Sequence, residues 1–474
     1  MVFSSSLFIL YFLPLFLVVY YVLPVRFKNI FTLLASIVFY AWGAPDFIFI
    51  VLASLLIDFY LVDWMHKSTL RKARRILLAI SVVLNIGMLA YFKYANFLID
   101  NFNFLLSALN MQPVSWAAIA LPIGISFFTF QKLTYSVDVY RGVHAPLRRS
   151  WDYAMYILMF PQLIAGPIVR FHEIADQIED RRAFERVDDR LLGFFRFVVG
   201  LAKKVLIANV LGEQVDAIFA LSAADLSTAT AWIGVVAYSF QIYYDFSGYS
   251  DMAIGIGRMI GFKFPENFNN PYISQSITEF WRRWHITLGR WMRDYLYIPL
   301  GGSRVSALRM YFNLWVVFLI SGLWHGAAWN FVVWGAFHGL FLVADRMFLL
   351  RVLKAVGKVP AIVITYFITL IGWVLFRAAS LADAFAYLGR MFAFDGGSST
   401  ITIENEFVFM MIVGALFAFI AVLPHVEKSW MNLLTRQKKN LPMVLMTVVA
   451  LLFLMVCIAA ITSSSFNPFI YFRF

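Results

Sequence analysis

Among seven histidines in 474 residues, two are placed where a base could work. His325 lies in Gly322-Leu323-Trp324-His325-Gly326, near the middle of a 35-residue stretch, 310–344, whose only side chains titrating near neutrality are His325 and His338. An imidazole with an ordinary pKa near ~6.5 can take a proton from a hydroxyl at neutral pH, and burial keeps it uncharged. The pattern therefore offers general-base chemistry. His285 stands 40 residues earlier in Trp281-Arg282-Arg283-Trp284-His285. Its neighbours Arg282, Arg283, Arg290 and Arg293 present planar forks that suit phosphate oxygens. No Gly-x-Ser-x-Gly motif is present, which disfavours a covalent serine enzyme. The single Cys457 leaves no cysteine metal cluster and no disulfide framework, and no metal is expected.

The elements that hold these residues follow from spacing. At 100° per residue, Trp281, Trp284, His285, Leu288, Trp291, Met292 and Tyr295 share an arc of about 120°, with Arg282, Arg283, Arg290, Arg293 and Asp294 opposite. This predicts one interfacial helix over 281–295 with His285 on its inward face. It either rests at headgroup level with its arginines on lipid phosphate, or guards a cytoplasmic entrance for an anionic substrate. Around His325 both flanks are basic: Arg304 and Arg309 before, Arg346, Arg351 and Lys354 after. The stretch is short of the roughly 40 residues that two full crossings need, so a tight or shallow hairpin is predicted. Its bend falls on Ser321–Asn330, which puts His325 deep, where an ionisable side chain usually lines a cavity or pathway. His338 reads more simply as a packed histidine.

The solvent of this chain is lipid. Hydrophobic residues make up 62% and charged ones 14%, too few to coat a soluble domain. The net charge of +12 sits in short clusters between apolar runs, the pattern of a topogenic signal and not of a nucleic-acid-binding face. Uncharged runs cover 1–25, 29–45, 76–92, 101–131, 153–169, 226–244, 359–376, 407–424 and 440–472, with 47–62 broken only by Asp58. Residues 1–25 read as a retained helix, since neither a basic leader nor a small-residue cleavage site is present. The five Lys and Arg of 66–75 mark a cytoplasmic loop, which places the N-terminus in the periplasm and an external loop around Asn101–Gln112. The run 153–169 has basic residues at both ends and prolines at 161 and 167, so it reads as a re-entrant segment buried in protein. Asp245 to Asp251 follow the span 226–244, and Gly257 and Gly261, four apart, predict close helix packing. The expected fold is all-α and polytopic, with about 10–12 transmembrane helices plus re-entrant segments in a single domain, 1–474. A polymer transporter or scaffold is the rival reading, but transporters commonly carry internal repeats and the two halves of this sequence show none.

These motifs resemble the membrane-bound O-acyltransferase family (MBOAT), in its bacterial polysaccharide-acetylating branch. The likeness rests on Glu279-Phe280-Trp281-Arg282-Arg283-Trp284-His285 and Gly322-Leu323-Trp324-His325-Gly326. It extends through Tyr91–Asn96, Leu121–Phe127, Leu163–Pro167, Asp245–Gly255, Glu266–Asn269, Arg293–Ile298 and 467–472. The resemblance implies a ring of helices around a tunnel, with His325 as catalytic histidine and His285 as the second polar member of the site, positioning or polarising the acyl thioester. It implies acetyl-CoA as donor, with Arg282, Arg283, Arg290 and Arg293 as candidate contacts for its phosphates. It further implies a multi-pass protein of the bacterial inner membrane that passes acetyl groups across it, to periplasmic SGNH-hydrolase-like partners in an exopolysaccharide biosynthesis complex such as that of alginate. The loop 425–442 is short and basic where alginate-modifying members carry a longer polar insertion, so cellulose or another exopolysaccharide fits equally well.

Overall fold

A computed structural model of the chain describes residues 2–164, 166–394, 401–423, 425–435, 440–463 and 466, and every regular element among them is helical. Among the described residues, six helices are long and apolar enough to cross a membrane: Pro45–Lys67, Arg71–Ala108, Ala307–His325, Lys358–Arg377, Asn405–Val422 and Met443–Ser463. The other helices are shorter or more polar. Cys457 is buried and unpaired with another cysteine, and the motif at 467–472 lies outside the described residues.

The chain divides into two compact units. The first holds residues 7–186 and 260–264. Its helices are α1 (Leu13–Val22), α2 (Val25–Gly43), α3 (Ile48–Lys67), α4 (Arg71–Leu89), α5 (Ala95–Ala108), α6 (Ile125–Arg141), α7 (Ser150–Leu158), α8 (Phe160–Leu163) and α9 (Phe171–Glu179). Asp58, the one charge in the apolar run of α3, is buried and fully engaged. It accepts hydrogen bonds from Ser81 and Asn85 on α4 and, at 2.6 Å, from the Tyr153 hydroxyl on α7. A polar group inside hydrocarbon needs partners of this kind, since lipid offers none.

The proline-broken segment is buried in protein, as expected. Every described residue of 153–169 is buried, and Pro161 opens the single turn α8. The Phe160 N–H freed by the break donates to Ser36 Oγ at 3.1 Å, and the Tyr156 hydroxyl donates to the Val169 carbonyl at 2.9 Å. The expected loop around Asn101–Gln112 requires correction. The helix runs on from Arg71 to Ala108 through a π-helical turn at Ala90–Tyr94. The asparagines do not break it because their amides are satisfied locally: Asn101 donates to the Phe97 carbonyl one turn back, and Asn103 bonds both the N–H and the C=O of Val114.

The second unit holds residues 2–6, 187–259 and 265–474. It comprises α10 (Val187–Ala202), α11 (Asn209–Phe219), α12 (Thr228–Met259), α13 (Ile277–Arg283), α14 (Ile286–Met292), α15 (Ala307–His325), α16 (Trp329–Ala344), α17 (Leu350–Val356), α18 (Lys358–Arg377), α19 (Leu381–Met391), α20 (Asn405–Phe419), α21 (Val426–Thr435) and α22 (Asn440–Ser463). Its centre is α12, 32 residues long and almost wholly buried beyond Val235. The acidic stretch that should follow the span 226–244 lies inside this helix. Asp245 and Asp251 can stay buried because Lys204 meets the first at 2.6 Å, while Arg196 and Lys203 meet the second at 2.8 and 2.6 Å. Charges that look like a span's end are neutralised by the neighbouring helix.

Close glycine packing is present, but at other glycines than the predicted pair. Gly193 and Gly200 of α10 meet Gly255 and Gly248 of α12, each two seven residues apart. A Cβ at Gly200 would stand 2.5 Å from the Gly248 carbonyl oxygen, and one at Gly248 would stand 2.7 Å from that of Gly200. Gly261 instead takes a left-handed turn at φ +84°. Since backbone atoms set this contact, Gly248→Leu should cost about 1–3 kcal/mol. A lowered melting temperature in detergent is expected, and an unchanged one would refute the seam.

Candidate active site

The segment that carries His285 begins with a side-chain cap. Ser276 Oγ accepts from the Glu279 N–H at 3.1 Å, and Glu279 Oε2 accepts from the N–H of Gln275, the residue before the cap, at 2.9 Å, which fixes where α13 starts. The helix then stops at Arg283, so the continuous helix predicted over 281–295 does not form. Trp284 is extended, and His285 adopts a left-handed conformation at φ 45°, ψ 53° before α14 begins at Ile286. Such a backbone is uncommon for a residue with a side chain and persists only where its surroundings determine it. Here the surroundings are residues 267–269, which run alongside the break. The Asn269 N–H donates to the Arg283 carbonyl and the Ile286 N–H to the Asn267 carbonyl, both at 2.9 Å. These bonds replace the helical ones that the break removes.

His325 is the last residue of α15, at the bend of the predicted hairpin. The arms, 19 and 16 residues long, are fuller than a shallow hairpin would need. They cross at Gly322 and Gly335, where a Cβ on Gly322 would stand 2.2 Å from the Phe331 carbonyl oxygen. This close crossing sets the bend against α13 and α14. The result brings the two predicted histidines together: the His285 and His325 rings lie 6.4 Å apart between centroids.

Aromatic rings wall the pair. Trp334 lies 5.1 Å and Phe376 5.4 Å from the His325 ring, both edge-on, and Phe246 lies 4.7 Å from His285. Both histidines are buried. The sequence reading missed Trp334, Phe376 and Phe246, which come from three different helices and share no spacing signal. His285 Nε2 and the Trp334 indole N–H are buried without a hydrogen-bond partner, which suits groups waiting for a ligand. His285 lies outside the spanning helices, and burial pushes its imidazole down to about 3, so it is neutral at pH 7.

His338 is placed differently. Its Nδ1 accepts from the Trp281 indole N–H at 3.3 Å, and a Cβ at Gly372 would stand 2.8 Å from its Nε2. It packs against Trp334, behind the ring that faces His325. The four arginines also separate. Arg283 is engaged by Glu279 at 2.9 Å and Glu427 at 2.6 Å, and Arg293 pairs with Asp294 at 2.6 Å. Arg282 and Arg290 are exposed. A cavity of about 620 Å³ reaches Tyr243, whose ring lies 6.2 Å from Trp284. Its walls are almost entirely apolar, and their one charged side chain, Lys203, already pairs with Asp251. It does not suit a diphosphate.

The arginines thus divide into one that holds the fold and one that does not. Arg283→Gln should lower the melting temperature by releasing α13 from α21, whereas Arg282→Gln should leave it unchanged. Equal melting temperatures for the two variants would contradict the division.

Comparison with known proteins bears on this site. Residues 147–382, which include both histidines, match the model of the MBOAT, membrane-bound O-acyltransferase family. The chain is 39% identical to a probable alginate O-acetylase of Azotobacter vinelandii over 505 aligned positions, covering all of both chains. It is 45% identical over 395 positions to a probable alginate O-acetylase of Pseudomonas aeruginosa, with 83% of this chain and 75% of the other covered. A peptidoglycan O-acetyltransferase of Helicobacter pylori is 37% identical over 431 positions, covering 84% and 81%. Taken with the six apolar helices, these similarities show that the chain is a multi-pass membrane acyltransferase and belongs to the membrane-bound O-acyltransferase family.

Proposed function

We propose that this protein is the membrane O-acetyltransferase of an exopolysaccharide system, taking acetyl groups from acetyl-CoA on the cytoplasmic face of the inner membrane and transferring them across it. The observation that carries the reading is the meeting of His285 and His325 in one buried aromatic site. In the transfer, an acceptor hydroxyl oxygen bonds the thioester carbonyl carbon while its proton passes to a site histidine. The carbon–sulfur bond then breaks, and the CoA sulfur leaves with that proton. His325, held by its aromatic walls at the bend, is the catalytic histidine of this reading, with His285 as its partner.

Support for the acceptor comes from the relatives. Alginate O-acetylases point to alginate or a related exopolysaccharide, cellulose included, as the polymer. The peptidoglycan O-acetyltransferase supports a second reading, in which the acceptor is a cell-wall glycan. In either case the acetyl group would pass to periplasmic SGNH-hydrolase-like partners, with the N-terminus on that side. Arg282 is the exposed arginine best placed for donor phosphates, since Arg283 and Arg293 already hold carboxylates.

Purified protein given acetyl-labelled acetyl-CoA should release free CoA, and pass label to polymer when the periplasmic partners are supplied. His325→Ala should insert normally and slow this release by about 10²–10⁴-fold, the usual cost of losing a general base. Near-normal turnover in that variant would overturn the assignment. Polymer export coupled to a proton gradient, with no acetyl turnover by the native protein, would establish a transporter instead.

A further inference from the structure

We propose that Asn267 is a positioning residue that locks His285 in the Nδ1–H tautomer, leaving Nε2 as a proton acceptor in the site. The role given to Nε2 rests on the acetyl transfer proposed above, while the tautomer itself does not.

The assignment follows from which groups can only donate. The Asn267 side-chain atom that faces His285 Nδ1 at 3.0 Å also faces the Thr287 backbone N–H at 3.2 Å. A backbone N–H has no lone pair to offer, so the atom opposite it must be the amide oxygen. The amide nitrogen points the other way and donates to Ser250 Oγ at 3.0 Å. The Thr287 hydroxyl makes a third donor to the same oxygen at 2.8 Å. With the oxygen identified in this way, His285 Nδ1 must carry the hydrogen that joins them, because two acceptors cannot share a hydrogen bond. Ring orientations and tautomers are usually assigned by inference, and here the obligate backbone donor removes the ambiguity.

The rest of the site agrees. An uncharged ring holds one proton, and with that proton on Nδ1 the Nε2 nitrogen carries a lone pair. Nε2 is buried with no hydrogen-bond partner. Asn267 also holds the backbone just after the break, its carbonyl accepting from the Ile286 N–H, while Asn269 holds Arg283 before it. Asn267 therefore shares with Asn269 in setting the left-handed turn that swings His285 out of helical register, and by itself fixes the proton on Nδ1. From Nε2, His285 accepts a hydrogen bond and does not donate one to a thioester carbonyl. The resemblance had left His285 to position or polarise the thioester, and this tautomer makes it an acceptor beside the general base His325.

Full-length protein labelled with ¹⁵N-histidine and returned to bilayers tests this by nitrogen NMR, with His285→Gln identifying the His285 signals. At pH 7 the native protein should show a protonated Nδ1 and an unprotonated Nε2. Asn267→Asp, which keeps an acceptor oxygen in place, should retain the Nδ1 proton. Asn267→Leu should lose that preference and slow CoA release at least about tenfold, less than the ~10²–10⁴-fold cost of losing an acid–base group outright. A proton on Nε2 in the native protein would overturn the proposal outright, whether or not any variant folds. An unaltered tautomer in Asn267→Leu would overturn the role of Asn267. Loss of acetyl turnover in the native protein with the tautomer as stated would sink the functional reading alone.

Discussion

Lipid cannot satisfy a hydrogen bond, and the buried polar groups of this chain are arranged around that fact. Asp58 takes three donors from two neighbouring helices, Asp251 takes two cations from α10, and the proline-broken run 153–169 returns its freed N–H to Ser36. Each group would cost several kcal/mol if left bare in hydrocarbon. Polar side chains are consequently sited where another element supplies a partner, and α12 shows the result at full scale, a central helix buried all round although it carries acids. Among the described residues several buried polar atoms still lack a hydrogen-bond partner, and two of them fall together. His285 Nε2 and the Trp334 indole N–H are two such atoms, and they belong to the same aromatic enclosure as His325.

The break at His285 shows how local chemistry builds this enclosure. A continuous amphipathic helix would satisfy its own backbone, and nothing in 281–295 forbids one. The break exists because residues 267–269 offer replacement bonds to Arg283 and Ile286. The glycine crossing of Gly322 and Gly335 acts from the other side, closing the hairpin that delivers His325. Two segments 40 residues apart thus meet through one backbone clamp and one close helix contact.

Much of this could be read from residue order, and the rest could not for definite reasons. Scarcity of charge singled out His325, and the small residues at 321–330 placed the bend. The prolines at 161 and 167 marked a segment that had to be buried. What failed were inferences that treated an element in isolation. Periodicity over 281–295 gave a helix because it carries no information about a strand-like neighbour. Asp245 looked like the end of a span because its partner Lys204 sits 41 residues away. The glycine seam was sought at four-residue spacing, whereas the helices meet at a spacing of seven. Asn267 carried no signal of its own beyond lying in an asparagine-rich stretch between Pro265 and Pro271, which argues only against a helix.

The central claim is that His285 and His325 act as one site. A double-mutant cycle on the rate of CoA release from acetyl-CoA tests it most directly, since residues that work as a unit are strongly non-additive. The double variant His285→Ala, His325→Ala should be no slower than the slower of the two single variants. Losses that multiply, as they would for two independent contributions, would contradict it.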